Sequence, residues 1–295
     1  MNKRLLVVLF ALVILVTGCA KETSEKDEDL KQEPVKQEET SVTEEAKQEE
    51  VEQEEVNKEE QPVVPEKEEA PKEEKVEWIP GQHRDANKMV VVIDPGHQLK
   101  GDSTKEPNGP GSTTMKARVT SGTTGVATRI PEYVMNLAVS LKLKAELENR
   151  GYTVYMTREV HEVNISNMER AQYAETVSAD IAVRIHGNGS TNQSVHGAEV
   201  YVPSTSNPYV SHLAKASNSL GKHIIDEYCK TTGFKNRGVF ASDTMTGMNW
   251  STVPVVIIEL GYMSNAEEDV KMQDETIQNN MVQGIANGID LYFGL

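Results

Sequence analysis

The stretch Met89–Ile93, followed at once by Asp94-Pro95-Gly96-His97, constrains this chain more than any other. Its apolar run is β-branched after the first residue, uncharged and too short for a helix, so it predicts a buried strand. Asp-Pro-Gly then stops the strand. Pro95 removes a backbone donor, and Gly96 permits conformations that other residues resist. His97 is thereby placed at the carboxyl end of a central strand, where open α/β sheets carry their chemistry. A single histidine in that place also suits a purely structural role, so the rest of the chain has to decide.

Further strand signals follow at 152–157, 180–185, 197–202 and 254–260, and helical patterns at 132–149, 166–178, 208–231 and 276–292. The first helix is the clearest: Val134, Leu137, Ala138, Leu141 and Ala145 recur at three-four spacing, and Gly151 follows as a stop. Strands alternating with helices predict one α/β domain over 86–295, with a central, mostly parallel sheet flanked by helices. That length suffices for a proper core. Residues 98–131 break the rhythm. They are rich in Gly, Ser, Thr, Asn and Pro without periodicity, and they start directly after His97. A loop this long inside a domain borders a site or is a tolerated surface insertion.

The residues before this domain are of a different kind. Lys3 and Arg4 precede an apolar run, Leu5–Val16, that is too short and wrongly flanked for a membrane span. It reads as a signal peptide over 1–19, and its end, Val16-Thr17-Gly18-Cys19, resembles a bacterial lipobox. Lipidation at Cys19 would make the membrane a partner and hold the exported chain on the outer face of the cytoplasmic membrane, facing the cell wall. Cys229 would then have no partner for a disulfide. Residues 20–85 are rich in Glu, Lys and Gln. Within 21–76, 9 Lys stand against 22 Asp and Glu, a net −13 of the whole chain's −16. Such a segment has little to bury and is expected to be a disordered acidic linker, about 40–45 Å in root-mean-square span. With an acidic balance and no basic patch, nucleic-acid binding is excluded as a function class.

Titratable residues gather at element ends. His97 follows the first strand, Glu132 opens the first helix, His186 follows the strand 180–185, and Glu259 ends the run Val255-Val256-Ile257-Ile258. Two histidines and a carboxylate can fill three positions of a catalytic zinc, leaving the fourth for water. A second carboxylate could serve as general base. Glu132 could instead favour the helix dipole, and His186 could be a satisfied structural imidazole. Glu259 is harder to assign to structure alone, because its apolar run draws the carboxylate into a low-dielectric place.

The stretches Val92–His97, Glu132…Asn136-Leu137, Gly151–Val154…Thr157-Arg158, Glu169-Arg170, Ile185–Asn188, Gly197–Val200 and Val253-Pro254…Glu259–Asn265 resemble, in order, the zinc-dependent N-acetylmuramoyl-L-alanine amidase family. The resemblance covers about residues 89–294. It implies an α/β fold around a six-stranded sheet, a Zn²⁺ cofactor held by His97, Glu132 and His186, and Glu259 as the catalytic carboxylate. It also implies peptidoglycan as substrate, cut at the amide between N-acetylmuramic acid and L-alanine, in cell-wall remodelling or lysis. Asp94, Asn188 and Glu199 are candidates to orient the histidines. Asn188 and Arg237 are candidates for substrate binding, Arg237 from a predicted loop after the long helix. The segment between His97 and Glu132 is longer than in compact family members and too rich in Gly and Thr for an inhibitory helix. Alternatives are a zinc peptidase on peptidoglycan stem peptides, a non-catalytic wall-binding lipoprotein, or a solute-binding lipoprotein, for which the folded part looks short.

Overall fold

Residues 85–295 are described in the computed structural model; the signal segment, Cys19 and residues 20–84 of the linker lie outside them. Six strands form the main sheet: β1 (Val90–Pro95), β4 (Thr153–Met156), β5 (Ile181–Asn188), β6 (Ala198–Val202), β7 (Asn236–Ala241) and β8 (Val255–Tyr262). Their order is β4-β1-β5-β8-β6-β7. Every neighbouring pair is parallel except β6 with β8. The mostly parallel six-stranded sheet is therefore present, and its carboxyl ends carry the chemistry-bearing residues.

The apolar runs dictate the layering. Odd positions of β1 (Val91, Ile93) and even positions of β8 (Val256, Ile258) enter one large core. It is closed by α1 (Glu132–Asn149), α3 (Ala214–Thr232) and α6 (Glu275–Phe293). Gly284 and Gly288 let α6 lie directly on α3: a Cβ on Gly288 would stand 2.4 Å from the Ile224 Cα. The opposite face presents Val92, Ala182, Val255 and Ile257 to a smaller cluster under α2 (Asn167–Thr176) and α4 (Thr246–Asn249). Ile257 of this second layer also lines the cleft described below.

Helix α2 starts where its sequence says, with Ser166 accepting from the Glu169 amide and the Glu169 carboxylate accepting from the Ser166 amide. Helix α3 begins six residues later than its pattern suggests, because Asn207 Oδ1 takes the amides of Tyr209 and Val210 and turns the chain first. Cys229 lies half-buried and free on α3. Burial, then Asp226 and Glu268, push its thiol up to about 12, which makes it unreactive.

Three features depart from the sequence reading. The segment 98–131 is not structureless, because β2 (Asp102–Pro107) and β3 (Met115–Val119) pair as an antiparallel hairpin. The predicted loop holding Arg237 is β7, an edge strand interrupted at Gly238, where φ is 100°. Helix α5 (Ala266–Gln273), capped by Asn265, follows β8. Among the described residues no helix is long and apolar enough to cross a membrane.

Candidate functional site

His97 lies in the turn just after β1, His186 and Glu259 lie in β5 and β8 at the same end of the sheet, and Glu132 is the first residue of α1. His186 and Glu259 are register partners on adjacent strands. Donor atoms of His97, Glu132 and His186 lie within 4.8 Å of one another. Glu132 Oε1 stands 3.2 Å from His97 Nε2 and 3.2 Å from His186 Nδ1.

The turn that delivers His97 is strained and heavily held. His97 has φ 61°, a left-handed conformation that costs a residue with a side chain of order 1–3 kcal/mol. Arg170 donates to the carbonyls of Pro95 and His97, and Arg158 to those of Pro95 and Gly96. Asn136, one helical turn after Glu132, also donates to Gly96 O. Gly96 has no room for a side chain: a Cβ there would lie 2.3 Å from the His186 ring. The His97 ring is set from outside the turn, with Nδ1 2.9 Å from Thr120 O.

Glu132 is held as firmly. Thr123 N donates to its Oε2, and Gly187 N and Asn136 Nδ2 donate to its Oε1. Burial works against its charge, but the hydrogen bonds with His186 and His97 outweigh burial and hold the carboxyl well below the usual range. The segment leading into Glu132 is anchored by Asp269, whose Oδ2 accepts from the amides of Ala127 and Thr128 and whose Oδ1 accepts from Thr128 Oγ1. Sequence reasoning missed Thr120, Thr123 and Asp269. No local pattern marks them, since Asp269 acts across 141 positions.

Glu259 is the opposite case. Burial first, then the Glu132 and Glu199 carboxylates, push it well above the usual carboxylate range. Glu199 is its register partner on β6. Asn188 Nδ2, Tyr201 OH, Tyr262 OH and Arg237 Nε all donate to Glu199. Arg237 thus pairs with Glu199 at 2.6 Å rather than standing in a loop. Asp94 is drawn the other way, toward Arg170 and Arg184.

A cleft of about 560 Å³, lined by His97, His186 and Glu259 among others, is the right size for a small ligand group. The donor set suits a metal. Two imidazoles and one carboxylate are a catalytic zinc set, and tetrahedral bonds of about 2.0–2.1 Å put donors about 3.3 Å apart, close to the two 3.2 Å separations here. His186 Nε2 is buried with no hydrogen-bond partner.

Residues 91–290 match the family model for N-acetylmuramoyl-L-alanine amidase. The chain is 22% identical over 249 residues to the amidase AmiC of Neisseria meningitidis, covering 72% of this chain and 55% of the relative. It is 24% identical over 204 residues to the amidase LytC of Bacillus subtilis, covering 69% and 35%. The chain thus spans about half or less of the length of these two relatives. Among solved structures, the catalytic domain of the amidase CwlV from Paenibacillus polymyxa superposes with a TM-score of 0.56 at 29% identity, covering 69% of this chain and 97% of that one. The amidase Ami1 of Mycobacterium smegmatis shares the fold, with a TM-score of 0.65 at 23% identity and coverage of 72% and 99%.

Proposed function

Because the chain belongs to the N-acetylmuramoyl-L-alanine amidase family, we propose that it hydrolyses the amide between N-acetylmuramic acid and L-alanine in peptidoglycan, as a zinc-dependent hydrolase. The observation that carries the reading is the convergence of His97, Glu132 and His186, with Glu259 lining the same cleft. Zinc held by these three residues would supply the Lewis acidity that polarises an amide carbonyl and brings a water's pKa from 15.7 toward about 7.

The protein's own groups do the rest. Thr120 and Thr123 fix the orientations of His97 and Glu132. Glu259 accepts the proton of the attacking water on a carboxylate oxygen and returns it to the departing nitrogen. Burial, then the Glu132 and Glu199 carboxylates, push its pKa upward, the direction that makes it a stronger base toward the water proton. Glu199 presses on Glu259 electrostatically and is itself held in place by its four donors.

The test is mass spectrometry of purified peptidoglycan digested by the zinc-loaded full-length chain, with and without a chelator. New L-alanine amino termini on intact glycan strands, lost on chelation, are the expected products. A different new terminus would assign a peptidase, and no cleavage would overturn the hydrolase reading.

The location is part of the same reading. Export and lipid on Cys19, with the acidic linker as tether, would hold the enzyme outside the membrane within reach of the wall. Fractionation tests this: Cys19→Ala is expected to release the protein from membranes, and full retention would remove the anchor.

A further inference from the structure

Arg184 stands two residues before His186 on β5, on the same face of the sheet and about 6.6 Å back along the strand. It lines the cleft together with His186 and Glu259. The residue is only 4% exposed, and its guanidinium is fixed at two corners. Nε donates to Asp94 Oδ2 at 2.8 Å, from the paired register position on β1. Nη2 donates to Asn167 Oδ1 at 3.2 Å, on the first residue of α2. The third corner differs. Nη1 rests on Gly247 of α4, where a Cβ would stand 1.1 Å from it. Among the described residues nothing accepts a hydrogen bond from Nη1, yet it is not sealed from solvent. Asn167 and Gly247, its neighbours there, line the same cleft.

The charge around Arg184 is unbalanced. Asp94 is shared, because Arg170 Nη1 stands 2.7 Å from its other oxygen. Buried Arg158, beside the same turn, donates to the carbonyls of Pro95, Gly96, Tyr133 and Val160 and to no carboxylate. Three buried guanidinium groups thus share one carboxylate, while Glu132 faces the two histidines. Among the described residues lining the cleft, Glu259 is the one carboxylate. Positive charge held in a low-dielectric place without its full counter-charge attracts an anion, and a guanidinium with an unused N–H donates to a carboxylate in a charge-assisted bond.

Resting on the amidase reading, we infer that Arg184 sets substrate specificity: its unused Nη1 donates to a free carboxylate of the stem peptide seated on the floor of the cleft. The glycan offers no rival, because the lactyl carboxyl of N-acetylmuramic acid is tied up in the scissile amide. A carboxylate on the residue after the alanine lies about 7 Å along the chain from the bond cut, which matches the two-residue step from His186 to Arg184.

Two soluble muropeptides differing only in that group, carboxylate against carboxamide, test the inference on the zinc-loaded full-length chain. The carboxylate is expected to be favoured in kcat/KM by about tenfold, as one charge-assisted hydrogen bond allows, and the preference should survive about 0.5 M salt because the guanidinium is buried. Equal rates, or a preference that vanishes in salt as surface steering would, overturn the inference. Arg184→Gln removes the charge and leaves Asp94 paired with Arg170, so the fold is expected to hold and the ratio to fall to about one. Mere loosening of the His97 turn would lower both rates and leave the ratio alone, so an unchanged ratio in this variant also overturns the inference. If Arg184→Gln loses its fold or its zinc, Gly247→Ala gives the same reading, since its methyl takes the place of Nη1 and the charge is kept. If neither compound is cleaved by the unaltered protein, the amidase reading fails. Calorimetric binding of the same pair then judges Arg184 separately, with tighter carboxylate binding supporting its role and equal binding overturning it.

Discussion

Glu259→Gln is expected to lower peptidoglycan turnover by about 10²–10⁴-fold, the range for a lost general acid–base group, while zinc content stays unchanged. Glutamine keeps the shape of the side chain and removes only its ability to take a proton. The metal-binding group is built from His97, Glu132 and His186 and does not include Glu259. A second readout separates catalysis from packing. Burial and the nearby Glu132 and Glu199 carboxylates raise the folded-state pKa of Glu259. The folded chain therefore holds this proton to higher pH than the unfolded chain does. Stability falls as pH climbs from the unfolded value to the raised folded one, and the loss persists above it. Glutamine carries no charge, so the metal-free variant is expected to be more stable than the parent at neutral pH, a trade of stability against function. Calorimetry at pH 4 and pH 8 checks the sign. Unchanged turnover would remove Glu259 as the base; loss of turnover together with zinc would make it a structural residue.

The sequence made the framework legible where local rules suffice. β1 and its stop, α1 and its Gly151 end, and the Ser166–Glu169 cap of α2 all follow from short windows. The family resemblance placed His97, Glu132 and His186 in one group, and the structure sets their donor atoms side by side. What short windows do not hold are partners distant in sequence. The His97–Glu132 approach depends on Thr120, 23 positions from His97, and on Asp269, which grips the residues ahead of Glu132 from α5. The hairpin was illegible for another reason. Its strands, Asp102–Pro107 and Met115–Val119, are largely polar and bury little. Side chains such as Glu106 and Arg118 dock them on α2, so no apolar alternation announces them. β7 was hidden because Gly238 breaks its pattern and an edge strand pairs on one side only.

Asp94→Asn is expected to destabilise the metal-free protein by about 3–5 kcal/mol, the cost of leaving a buried charge without its partner. Asp94 is 2% exposed and stands between two guanidinium groups, with Arg170 Nη1 at 2.7 Å from one oxygen and Arg184 Nε at 2.8 Å from the other. Thr157 Oγ1 donates to it as well. Asparagine would accept one of these bonds but neutralise neither arginine. Arg184 has nowhere to move, because a Cβ added to Gly247 would overlap its guanidinium. Arg170 has other tasks, holding the carbonyls of Pro95 and His97 and the Gln98 side chain. The substitution should therefore also loosen the turn that presents His97 and weaken zinc binding. The pH dependence fixes the mechanism. Burial alone would raise the Asp94 pKa, but Arg170 and Arg184 pull it far below the ordinary value. A carboxyl depressed in the folded state contributes its full stability above its unfolded pKa of about 3.9 and loses it as pH falls toward the folded value. The gap between parent and Asp94→Asn, measured by urea unfolding without metal, should be full at pH 7 and shrink below about pH 4. A gap that stays constant into acid would assign the loss to packing rather than to the buried charge.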